Sequence, residues 1–108
     1  MTVKDFATLN NLEVASLPTP DRQITGAYAG DLLSWVMGRA KDGDAWVTIM
    51  SNLNVIAVAT LADVSCVILA ENVRLDEEML KVATEKGVNI LYSSLPCFET
   101  CILIRSAL

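Results

Sequence analysis

Thiolates bind soft metals and attack electrophiles, so Cys66, Cys97 and Cys101 are the first residues in which to look for chemistry. Cys97 and Cys101 lie four apart, a spacing that puts both on one face of a helix. Structural zinc takes four nitrogen or sulfur ligands, whereas this chain offers three sulfurs and has no histidine. All three cysteines sit among Val, Ile, Leu and Phe, where the thiol behaves as a small hydrophobe. Neither a metal nor a bound cofactor is expected. The missing histidine also removes the usual hydrolase triad and the commonest general base. The five glycines, Gly26, Gly30, Gly38, Gly43 and Gly87, are scattered. None stands in a run before Lys and Ser/Thr, the arrangement whose backbone N–H groups cradle nucleotide phosphates. These residues predict a protein that is not an enzyme.

A second set suggests binding rather than reaction. Ser51-Asn52, Glu71-Asn72 and Ser93-Ser94 each follow closely on an apolar run. At the exits of parallel strands such residues form a rim of donors and acceptors where ligands bind; the alternative is that they only cap the helices that follow. Arg22 is the one cation of the Asp21-Arg22 loop, and a guanidinium can grip a phosphate or carboxylate bidentately. Glu71 would repel an anion, so a nucleoside or amide-bearing ligand fits about as well as a phosphate. The candidate ligand set is therefore Arg22, Ser51, Asn52, Glu71, Asn72, Ser93 and Ser94. Asp76-Glu77-Glu78 reads as a solvated helix start favoured by the helix dipole. Trp35 reads as a partly exposed anchor for the N-terminal segment or as an interface residue.

Positioning that rim requires alternating strands and helices. Asp31 is expected to open a helix whose apolar stripe is Leu32, Leu33, Val36, Met37 and Ala40. Lys41-Asp42-Gly43-Asp44 turns into a strand, Ala45 to Met50. Val55 to Leu61 follows as a helix, apolar nearly all round and so expected to be buried. Ser65 to Ala70 reads as a strand covered on both faces. Asp76 begins a helix with Met79, Leu80 and Ala83 inward, Glu77 placed to pair with Lys81, and Lys86-Gly87 as its stop. Val88 to Tyr92 is the last strand, and Pro96 leads into a helix reaching about Arg105. The crossovers, 51–64 and 71–87, are long enough for parallel connections. In the N-terminal third a short helix, Val3 to Leu9, and two strands, Leu12 to Ala15 and Ile24 to Gly30, flank a loop around Pro18 and Pro20; their order in the sheet is not legible. The class is α/β, a small single domain with a mainly parallel β-sheet flanked by helices.

The chain has 108 residues, 53% of them hydrophobic, and a net charge of −5. With a mean hydropathy of +0.44 and an isoelectric point near 4.5, it is too apolar for disorder and too acidic for nucleic acid or anionic lipid. The N-terminus lacks a basic region followed by an apolar core, and no apolar run approaches the roughly 18 residues of a membrane span, so a cytoplasmic location is expected. So many hydrophobic residues in so short a chain predict shared surface, with a homodimer formed through the C-terminal helix (Phe98, Ile102) or the Trp35 helix.

The strings Asp31-Leu32-Leu33-Ser34, Val36-Met37, Ala40 to Asp44, Trp46 to Ile49, Asn54 to Ala59, Gly87 to Leu91 and Phe98-Glu99 together resemble the DRTGG domain, over about residues 12–105 of a single domain spanning 1–108. The family motif falls on Asp21, Arg22, Thr25 and Gly26, with Ala27 where a second Gly would stand, and on Asp31. The resemblance implies a fold similar to the N-terminal domain of HPr kinase/phosphorylase without its catalytic half. It implies a regulatory, non-catalytic domain that binds a small ligand, such as a nucleotide or phosphorylated metabolite. The alternative is an assembly module without a ligand, associating with itself or with a redox or signalling enzyme.

Overall fold

A computed structural model describes residues 1–108. In chain order the elements are α1 (Val3–Leu9), β1 (Glu13–Ser16), β2 (Gly26–Ala29), α2 (Leu33–Arg39), β3 (Asp44–Thr48), α3 (Asn54–Ala62), β4 (Cys66–Leu69), α4 (Glu77–Glu85), β5 (Ile90–Tyr92) and α5 (Cys97–Ile104), with a 3₁₀ turn over Arg105–Ala107. The five strands form one sheet in the order β1-β5-β4-β3-β2. β2 to β5 run parallel, and β1 joins β5 antiparallel with Glu13 opposite Tyr92. The expected α/β class with a mainly parallel sheet is what the chain adopts.

Strand alternation explains the three layers, because successive side chains leave a strand on opposite faces. Trp46, Val67, Leu69, Ile90 and Tyr92 point to one face and pack with Val36 of α2, Val55, Ile56 and Ala59 of α3, and Met79 and Ala83 of α4. Ala45, Val47, Cys66, Ile68 and Leu91 point to the other, where Val3, Phe6 and Ala7 of α1 and Ile104 of α5 cover them. Both faces of the central strands are buried, as their unbroken apolar runs require. No helix is long and apolar enough to cross a membrane.

Capping follows the sequence at α4, where the Asp76 carboxylate accepts the Met79 N–H at 2.8 Å and Gly87, at φ +76°, lies past the C-terminus. Glu77 and Lys81 form no ion pair; the ion pairs of the fold lie elsewhere. Two helices are less buried than expected. Leu32 and Met37 of the supposed α2 stripe are more than half exposed, because α2 is short and inserts only Val36 fully. α3 buries Val55, Ile56, Val58 and Ala59, while Leu61 remains 70% exposed because it borders an open groove between α3 and α4. The proline loop is fixed to the sheet by Asn89, which is buried at the start of β5. Its Oδ1 accepts the Thr19 N–H at 3.0 Å, and its Nδ2 donates to the carbonyls of Thr19 and Ser65 at 2.8 and 3.0 Å.

Candidate functional site at the carboxyl edge of the sheet

β2 to β5 all end on the same edge, so Asp31, Ser51-Asn52, Glu71-Asn72 and Ser93-Ser94 share one side of the molecule. Asp31 does not cap α2, whose N-cap is Leu32 with no side-chain bond. Its Oδ1 instead reaches the exit of β3, accepting the Thr48 hydroxyl at 2.7 Å and the Ile49 N–H at 2.9 Å. The carboxylate is thereby spent on backbone and hydroxyl donors released where β3 leaves the sheet. Asn52 Oδ1 accepts the Asn54 N–H at 3.0 Å, a local turn that starts α3, and Ser51 is exposed beside it.

Glu71 and Asn72 both take the left-handed conformation, at φ +59° and +63°, so the chain turns sharply as it leaves β4. The turn lets the Glu71 N–H bond the Leu95 carbonyl at 2.9 Å and the Asn72 N–H bond the Ser93 carbonyl at 3.1 Å. The Glu71 carboxylate then accepts the Cys97 N–H at 2.9 Å, an acid at the positive end of α5. Ser93 is buried: its hydroxyl bonds that of Thr100 at 2.8 Å and accepts the Leu95 N–H. Glu71 and Ser93 hold α5 in place, and Asn72 and Ser94 are left to face a cleft.

That cleft has a volume of ≈ 410 Å³ and is lined mostly by polar residues, among them Asn11, Glu13, Asn72, Arg74, Ser93 and Ser94. Arg74 lies over the Tyr92 ring with its Cζ 4.4 Å from the centroid, and its two terminal nitrogens grip both oxygens of Glu13. The hydrogen bond from Arg74 is the main reason the Glu13 carboxyl is held below the usual carboxylate range. Tyr92 is fixed in turn, its hydroxyl accepting the Leu75 N–H at 3.0 Å. Sequence reading missed Glu13, Arg74 and Tyr92. The pair lies 61 positions apart, and it meets only because β1 runs antiparallel to β5.

The structure does not bring Arg22 to this rim. Its guanidinium bonds the carboxylates of Asp42 at 2.8 Å and Asp63 at 3.0 Å and the Asp63 carbonyl at 2.7 Å. Those residues precede β3 and β4, so Arg22 lies at the amino edge of the sheet with its charge met by two carboxylates. Asp21, Thr25 and Gly26 of the motif stand there too, whereas Asp31 lies at the carboxyl edge. Thr25 packs on Gly43, Gly26 backs on to the Asp44 carboxylate, and Asp21 is exposed nearby.

Two other clefts exist. One of ≈ 410 Å³ at the exit of β2 is bordered by Tyr28, Gly30, Asp31, Leu32, Trp35 and Arg39. Trp35 is half exposed and carries the Arg39 guanidinium over its ring at 3.7 Å, so it stacks on its own helix rather than anchoring the N-terminus. The other, of ≈ 350 Å³, is an apolar groove between α3 and α4. The cysteines are free thiols, and burial is the first cause of their raised pKa values, pushing Cys66 up to about 12. No group of three or more Cys, Asp or Glu is placed to hold a metal ion.

The model of the DRTGG domain matches residues 28–107, nearly three quarters of the chain. The chain belongs to the DRTGG domain family. The match begins inside β2 and so omits the Asp21 to Ala27 string, whose residues brace the amino edge, while it includes every residue of the carboxyl-edge cleft except those from Asn10 to Glu13. Among solved structures, the DRTGG fold found here is similar to that in the CBS and DRTGG domains of the regulatory region of Clostridium perfringens pyrophosphatase, complexed with its activator diadenosine tetraphosphate. That likeness has a TM-score of 0.73 at 12% identity, and covers 99% of this chain but 47% of that one. It is a likeness of fold. No curated protein sequence matches the chain.

Proposed function

We propose that this DRTGG domain is a non-catalytic regulatory module that binds a small nucleotide or phosphorylated ligand in the cleft between β1, β5 and the β4 exit. The observation that carries the reading is the polar cleft itself, in which Arg74 is presented on Tyr92 beside Asn72 and Ser94. Amide and hydroxyl groups supply paired donors and acceptors for a base or sugar edge. Arg74 supplies the cation that Arg22 cannot, because Arg22 is neutralised at the opposite edge. Glu13 already pairs with Arg74, so a phosphate has to displace a carboxylate that is exposed and easily rehydrated. The structural likeness to a regulatory region complexed with a nucleotide activator agrees with this class of ligand. The absence of histidine and of a phosphate loop argues against a catalytic role.

Titration calorimetry with AMP, ATP and diadenosine tetraphosphate, together with phosphorylated sugars, tests the reading. One of these should bind and be recovered unchanged. Arg74→Ala should weaken it about 10-fold or more, the worth of one charge-assisted hydrogen bond, while Arg22→Ala should leave affinity unaltered. Steady turnover of ATP that survives repurification overturns the non-catalytic role. Binding that is indifferent to both Arg74→Ala and Asn72→Ala overturns the site.

A further inference from the structure

The geometry points to self-association through α5, with two copies packed antiparallel about a two-fold axis. Phe98 and Ile102, four apart, share one face of the helix and are exposed, Phe98 by 73%, and Leu95, just ahead of the extended N-cap Pro96, is exposed as well. Arg105 falls on the same face, and Leu108 continues the line beyond the 3₁₀ turn, also exposed. The opposite side of α5, with Thr100 and Ile104, is buried against the sheet and is not available. Glu99 borders the stripe. Neither Glu99 nor Arg105 takes part in any ion pair of the chain.

The occupant that fits this stripe is a second copy of itself. Its midpoint lies between Cys101 and Ile102. Antiparallel pairing about that point sets Leu95 against the partner's Leu108 and Ile102 against the partner's Cys101. It also sets Phe98 beneath the partner's Arg105, which is then one position from Glu99 and can bridge to it. The two-fold makes each contact twice, the self-complementarity that an isologous interface requires. Each unpaired charge gains an opposite one at the rim, and each exposed apolar group gains an apolar or cationic cover. The apolar groove between α3 and α4 has no such match, since its one charge, Lys86, would meet only apolar residues or itself. This interface goes beyond the ligand-binding reading and does not depend on it. Leu95 also lines the polar cleft, so the two surfaces adjoin.

The test is sedimentation and light scattering of the whole chain from about 1 to 100 µM, the range in which weak specific dimers form. The expected mass is twice 11.7 kDa at the upper end. Phe98→Asp and Ile102→Asp should each give monomers with an unchanged circular dichroism spectrum, because both side chains are exposed and contribute little to the fold. Glu99→Arg and Arg105→Glu should each weaken the dimer several-fold, and the double variant should restore it, since the swapped charges again meet across the axis. A mass of 11.7 kDa throughout overturns the proposal. So does a dimer that survives both aspartates, or one that Leu61→Asp breaks in their place. A double charge variant no tighter than the single ones overturns the antiparallel register.

Discussion

Asn89→Ala should cost this domain a large share of its stability, although the residue lines none of the clefts. Asn89 is 1% exposed, and its amide makes three hydrogen bonds, two to the backbone of Thr19 and one to the Ser65 carbonyl. Each is worth about 0.5–1.5 kcal/mol net, and groups left buried without partners cost more. Three together give about 3 kcal/mol, set against the 5–15 kcal/mol typical of a whole domain. Urea unfolding should show a lower midpoint at an unchanged slope, and the melting temperature should fall by roughly 10 °C or more. Asn89→Asp should be worse still near neutrality, because it removes both donors and buries a charge. It should regain part of the loss on acidification, when the protonated carboxyl can donate once. An Asn89→Ala variant within about 1 kcal/mol of the parent would refute the reasoning, since it would mean that the proline loop does not depend on this side chain.

Gly43 sits at φ +86°, and a Cβ there would stand 2.1 Å from Thr25 Oγ1, so Gly43→Ala should destabilise by more than about 1 kcal/mol. Gly38, in α2 with open space where a Cβ would stand, should instead tolerate alanine and gain up to about 1 kcal/mol, and thermal melts of the two variants should move in opposite directions. In the native protein a thiol reagent near pH 8 should modify Cys97 and Cys101 slowly and leave Cys66 untouched until unfolding, as mass spectrometry of the modified peptides would report. The Glu13 carboxyl is depressed by its bond to Arg74, so the pair's contribution is present above the ordinary carboxylate range and lost as pH falls through the lowered value. Titration followed by NMR should find Glu13 low in the parent and returned to the ordinary range in Arg74→Ala.

What the sequence determined by itself is local. Helix and strand periods, the Asp76 cap, the Gly87 stop and the continuous apolar run at Cys66 to Leu69 are written in neighbouring residues, and they suffice for an α/β class with strands buried on both faces. From that class it also follows that Ser51, Asn52, Glu71, Asn72, Ser93 and Ser94 leave the sheet on one edge, because parallel strands all end on the same side. Tertiary structure alone decided what each of them does there. Glu71 became the acid at the start of α5 and Ser93 a buried strut, because the left-handed turn after β4 brought the β5–α5 loop within bonding distance. Arg22, an unattached cation when read along the chain, was claimed by two aspartates 20 and 41 residues away. Arg74 became the cation of the cleft only when the sheet set β1 antiparallel beside β5 and delivered Glu13 and Tyr92 to it. Strand pairing carries no local signature: register and edge position follow from burying all the apolar faces at once, and no window of neighbouring residues contains that constraint.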